Sequence, residues 1–268
     1  MAGEPAGRPP EIDRARDLGD LLSTTLRLWG RHLGALSAVA VSVVVVVDTI
    51  AAAGLDELTS PYRARPSVRE ETISLLIYLL VTFPVVTAAQ TRIVLEAAAD
   101  RRPSPWRAIA EAADLFRTLL LAVIAYVLAV LVGSILIIPA IYFAVSFYLF
   151  IPAVVADRRR GLDALRRSAE LVRGRWWRVL GIGLVYAVII TLLTGPLGSG
   201  FDELARAANA EVLFVVGTMV VQTVTLSFVS VGATLVFFDL RARHAGASPT
   251  PAPVGRRDRD PDEPPGSD

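Results

Sequence analysis

The sequence predicts an all-α, polytopic transmembrane helical bundle of six passes, built as three hairpins that each follow a cytoplasmic, interfacial, amphipathic helix. Three observations carry this expectation. Of 268 residues, 53% are hydrophobic, with a mean hydropathy of +0.52. The apolar residues come in blocks long enough to cross a bilayer, and arginines crowd alternate connectors between them.

A hydrocarbon layer needs about 20 apolar residues per helical pass. Leu33 to Leu55 supplies the first, with Asp48 as its only charge. Ile73 to Leu95 supplies the second, with Pro84 in its middle and Arg92 near its end. Leu119 to Ala156 carries no charge and is long enough for two helices, turning between Gly133 and Pro139. Val179 to Leu193 is the fifth pass, ended by the breaker GPLGSG at Gly195 to Gly200, and Val212 to Phe238 is the sixth. Pro84 and Pro152 each free a backbone carbonyl inside a returning helix and are expected to kink it.

The bundle is expected to occupy 18–244. Residues 1–17 and 245–268 are polar tails, the second rich in proline, aspartate and arginine, and neither can bury a core. The polar start of the chain is unlike a cleavable signal peptide. Arginine placement sets orientation: Arg8 to Arg31, Arg92 to Arg117, Arg158 to Arg178, Arg241 and Arg243 lie on one side, whereas the opposite loops hold only Arg63, Arg65, Arg69 and Arg206 among seven carboxylates. Both termini are therefore expected in the cytoplasm. All four tryptophans, Trp29, Trp106, Trp176 and Trp177, fall on that arginine-rich side, where an interfacial belt belongs.

The chain also repeats itself. Segments starting at Asp20, Arg107 and Asp163 each run from a short two-sided helix into an odd-numbered pass. At 100° per residue, Leu162, Ala164, Leu165, Ser168, Ala169, Leu171 and Val172 fill one half of the third copy, and Asp163, Arg166, Arg167, Glu170 and Arg173 the other. Trp106 and its successors repeat the pattern in the second copy. Asp163 with Arg167 and Arg166 with Glu170 are spaced as i, i+4 pairs.

The candidate contacts for lipid headgroups or a partner are Arg166, Arg167, Arg173, Arg175, Trp176, Trp177 and Arg178, since arginines on an amphipathic helix attract anionic groups. A candidate intramembrane polar path comprises Asp48, Gln90, Gln222 and Thr225, because polar groups in hydrocarbon are costly without a role or a partner. In the sixth pass Thr218, Gln222 and Thr225 share one face and Thr223, Ser227 and Ser230 the next, which places this helix nearest the bundle centre. With no cysteine and two histidines, the sequence offers no metal site. It contains no nucleophile elbow, paired-histidine motif or phosphate-binding glycine loop, so no catalytic residue, cofactor or enzymatic activity is expected, and no nucleic acid partner.

The run from Ile138 to Leu184 resembles the membrane domain of the glycerophosphoryl diester phosphodiesterase family. The matching elements are Pro139, Pro152, Ala164, Leu165, Arg167, Ser168, Leu171, Gly174, Trp176, Trp177 and Arg178. Where members of that family often carry a basic residue in the fourth pass, this chain has Ala144, Val145 and Ser146. The resemblance implies a bacterial inner-membrane protein without the catalytic barrel of the fused members. The expected function is a non-catalytic membrane module that scaffolds proteins or lipids, with anionic lipids, a membrane protein or a second copy as partners; the alternative is a transporter or permease subunit for a small solute.

Overall fold

The computed structural model describes residues 14–54 and 68–247, with the side chains of Asp48, 51–54, Glu70, Glu71, Glu211, 246 and 247 left out. The described residues form helices and no strands. Six of the helical stretches are long and apolar enough to cross a membrane.

The first copy of the repeat is α1, Leu18–Gly54, which bends at His32 (φ −112°, ψ 15°). That non-helical residue separates the short two-sided helix from the pass expected to begin at Leu33. In the second copy, α4 (Pro105–Asp114) meets α5 (Phe116–Gly133) at Leu115. In the third, α8 (Leu162–Val172) meets α9 (Trp176–Ala208) through Arg173–Arg175, turned by Gly174 at φ 79°. The same inward positions recur: Leu21 and Thr25, Ala108 and Ala112, Ala164 and Ser168 are all buried, each pair one helical turn apart. Leu162 departs from its expected inner face and is exposed, as is Trp106 at the matching position of α4. Both sit at a helix start, beyond the neighbour that buries the next turn.

The returning passes are distorted where proline dictates. Pro84 cannot donate to Leu80, and the second pass runs from α2 (Val68–Ile77) through a π-turn at Tyr78–Thr82 into α3 (Phe83–Ala98), with the Phe83 N–H donating to the Tyr78 carbonyl. Pro152 acts more strongly. The fourth pass is split into α6 (Ile137–Ser146) and α7 (Phe150–Ala156), and the gap is closed from outside by Ser168 of α8. Its hydroxyl donates to the Ser146 carbonyl (2.8 Å) and accepts from the Leu149 N–H (3.1 Å). Two backbone groups orphaned inside an apolar layer thereby gain partners.

The fifth pass corrects an expectation. Gly195 to Gly200 does not end it: α9 continues through Pro196 to Ala208. Pro196 removes a single N–H donor and the glycines can take helical dihedrals, so the local breaker chemistry does not stop the helix.

The sixth pass is α10, Glu211–Ala247. Every residue from Ser230 to Leu240 is buried, so its second half is the axis of the bundle, packed against α1, α3 and α9. Polar side chains tie this axis together. Gln90 donates to the Leu36 carbonyl (3.1 Å) and to Ser227 Oγ (2.9 Å), and Thr234 donates to Thr91 Oγ1 (3.2 Å). Thr25 and Tyr186 share a 2.5 Å hydrogen bond, and the Tyr186 ring lies where a Cβ at Gly232 would come within 2.6 Å of it. The outer surface is apolar, as lipid contact requires: Val46, Ile50, Leu121 and Leu192 are exposed.

Candidate functional site

The arginine-rich end is organised by carboxylates that terminate the three returning passes. Glu96 at the end of α3 is buried and accepts the Ser104 N–H (3.2 Å), fixing the start of α4. Asp157 follows α7 and divides its oxygens: Oδ2 takes Arg167 Nε of α8 at 2.9 Å, and Oδ1 takes Arg241 of α10 at 3.1 Å. The Arg241 guanidinium also lies over the Phe238 ring, 4.5 Å from its centroid.

Asp239 in α10 is fully buried and is the most heavily bonded of the three. Its Oδ1 accepts the Arg16 backbone N–H (2.6 Å) and Arg243 Nε (2.9 Å), while Oδ2 accepts from Arg178 (3.3 Å). The Arg16 carbonyl in turn accepts from Arg178 (2.5 Å) and Arg243 (2.8 Å). Two guanidiniums, a carboxylate and the backbone N–H and C=O of Arg16 thus close a ring joining the segment before α1 to α9 and α10. Arg16, expected in a polar tail outside the bundle, is buried. A buried carboxylate is tolerated when charge and hydrogen bonds meet it together, as here.

The ring and the Asp157 pair sort the arginines expected to meet lipid or partner. Arg167 and Arg178 are held by carboxylates, and Arg175 by the Arg243 carbonyl and His244 Nδ1, both at 3.4 Å. Trp176 stacks on Tyr142 with ring centroids 6.3 Å apart. Arg166, Arg173 and Trp177 face outward and exposed. The expected i, i+4 pairs do not form: Arg166 lies 3.9 Å from Asp163, and Arg167 lies 3.7 Å from Glu170, both at i, i+3. Arg167 is drawn off the expected geometry by Asp157.

A cavity of about 410 Å³ opens between α3, the α4–α5 junction and the loop after α7. Arg92, Arg158, Arg159 and Arg160 line it, with Glu111, Asp114 and Thr118, over a floor that includes Ala88 and Ala112. Arg92 is ion-paired with Glu111, Nε lying 2.7 Å from Oε2 without hydrogen-bond geometry and a terminal nitrogen donating to Oε1 at 3.3 Å. Arg158, in the left-handed region at φ 50°, and Gly161, at φ 49°, fold the loop tightly against this opening. Among the described residues, Arg158, Arg159 and Arg160 make no ion pair.

A family model described as a domain of unknown function, DUF7847, matches residues 22–242. The chain belongs to this family. No curated protein and no solved structure matches it. The DUF7847 match begins within the first short helix and ends just after Arg241, so the second and third copies, most of the first and all three terminal carboxylates lie within it.

Within the DUF7847 domain, the expected polar path does not assemble. Gln90 is bonded inside the core, whereas Gln222 and Thr225 line a separate cavity of about 470 Å³ with Tyr78, Asp202 and Thr218. The Asp48 side chain lies outside the described residues. The described residues hold no group of three or more His, Asp or Glu able to bind a metal. Sequence reading passed over Glu96, Asp157 and Asp239 as site residues. Their signal was present, an acid embedded in an arginine-rich margin just where an apolar run ends.

Proposed function

We propose that this DUF7847 protein is a non-catalytic module of the bacterial inner membrane, related to the membrane domain of the glycerophosphoryl diester phosphodiesterase family, that gathers anionic lipids or membrane proteins at its cytoplasmic end. One observation carries the reading: the terminal carboxylates are turned inward and satisfied, while Arg166, Arg173 and Arg158–Arg160 are exposed at the same arginine-rich end as exposed Trp106 and Trp177. Such a surface attracts anionic headgroups by about 1 kcal/mol for each basic residue near them.

Purified protein in nanodiscs should retain anionic over zwitterionic lipid, and Arg166→Glu with Arg173→Glu should lower that enrichment. Equal retention of both lipid classes by the wild type would refute the reading. Both termini belong on the same side, the cytoplasm. A cysteine replacing Arg166 should then react only with reagent supplied from inside, and one replacing Ser60 only from outside.

The cavity that includes Gln222 and Thr225 supports a second reading, a permease subunit for a small polar solute. Solute flux into reconstituted vesicles that Gln222→Leu abolishes would favour it over scaffolding.

A further inference from the structure

The loop arginines and the cavity beside them form a more specific site than an attractive surface. We propose that the Arg92, Arg158, Arg159 and Arg160 cavity binds one phosphate-bearing anion, with Glu111 as an internal competitor for Arg92. This rests on the preceding reading that the arginine-rich end engages anionic groups, and it goes further by assigning a bounded site.

Four guanidiniums face two carboxylates around the opening, so the lining is net positive before anything binds. Guanidinium forks suit phosphate oxygens better than ammonium groups do, because two parallel N–H bonds can be made at once. The volume of about 410 Å³ accommodates a phosphate with a glycerol-sized substituent and lies within the usual range for ligand pockets. The floor permits this, since Ala88 and Ala112 keep the space above them open. Arg159 and Arg160 are exposed and lack ion-pair partners among the described residues, so neither has a competing role in holding the fold.

Arg92 differs. Its guanidinium is already ion-paired with Glu111 and donates one hydrogen bond to it, and an incoming phosphate must share or replace that carboxylate. Neutralising Glu111 therefore favours the ligand, whereas neutralising the loop arginines disfavours it. Net charge alone gives the same two signs, so what separates a bounded site from diffuse surface attraction is that Arg166→Glu with Arg173→Glu leaves the site unmoved. The residues lie where α3, α5 and α7 reach the arginine-rich end, close to exposed Trp106 of α4, so both a lipid headgroup and a soluble phosphate could reach them.

The test titrates dioleoyl phosphatidic acid, dioleoyl phosphatidylcholine and inorganic phosphate separately into detergent-purified full-length protein, with binding followed by native mass spectrometry and thermal unfolding recorded for every variant. One saturable phosphatidic acid site is expected, weakened at least tenfold by Arg159→Gln with Arg160→Gln, strengthened several-fold by Glu111→Gln, and unmoved by Arg166→Glu with Arg173→Glu. Displacement of phosphatidic acid by millimolar inorganic phosphate would assign the site to soluble phosphate as well; resistance to it would assign the site to the lipid. If the loop variant unfolds like wild type and binds unchanged, the cavity is not the site. In that event, a loss with Arg166→Glu and Arg173→Glu would leave the broader reading standing, and no loss with either pair would remove both.

Discussion

Arg158–Arg160 belong to the same strongly basic segment as Arg167 and Arg178, yet their side chains have opposite fates. Arg167 and Arg178 each meet an inward-turned carboxylate, Asp157 or Asp239, and become struts between helices. Arg158–Arg160 emerge on a tight loop beside a cavity whose lining carries Asp114 and the Arg92-paired Glu111, and they make no ion pair among the described residues. The difference is one of geometry rather than composition. An arginine near a membrane surface is structural when a returning helix ends in a carboxylate within its reach, and is open to ligands when none does.

The strongest way to break the contrast is to remove the carboxylate on which the struts converge. Asp239→Asn leaves two guanidiniums at the bundle axis without their counter-charge, and should lower stability by about 3 to 5 kcal/mol. Thermal unfolding in detergent would register this, together with new protease cleavage near Arg16. Gly232→Leu should follow at about 1 to 3 kcal/mol, because the added side chain meets the Tyr186 ring and forces α9 from α10. A change in tyrosine fluorescence would accompany it. Ser168→Ala strips partners from Ser146 and Leu149 at the split in the fourth pass, for a loss of about 1 to 2 kcal/mol, readable as faster amide exchange at 146–150. Arg166→Ala should leave unfolding within about 0.5 kcal/mol of wild type, since its 3.9 Å approach to Asp163 is exposed on both sides.

The legibility of the sequence follows the same division. Six passes were readable because hydrocarbon thickness imposes a length on each, and Pro84 and Pro152 marked their own distortions through missing donors. The short helices were readable from two-sidedness, and even the bend at His32 falls where the first pass was expected to start. What escaped reading depends on partners distant in sequence. The glycines and proline of Gly195 to Gly200 have the local chemistry of a stop, yet α9 runs through them where it packs on α10. Two-sidedness of the helix grouped Arg167, Arg175 and Arg178 with the ligand contacts, although Asp157, His244 and Asp239 hold them, and left Arg158–Arg160 outside the group. Glu111 and Arg92, nineteen residues apart on different helices, could not be paired without the fold.

The division itself is tested most directly by measuring unfolding temperature and phosphatidic acid affinity side by side for Arg178→Gln and for Arg159→Gln with Arg160→Gln. A lowered unfolding temperature with retained affinity for the first, and an unchanged temperature with at least tenfold weaker binding for the second, is the predicted result. Equal effects of the two variants on both quantities would contradict it.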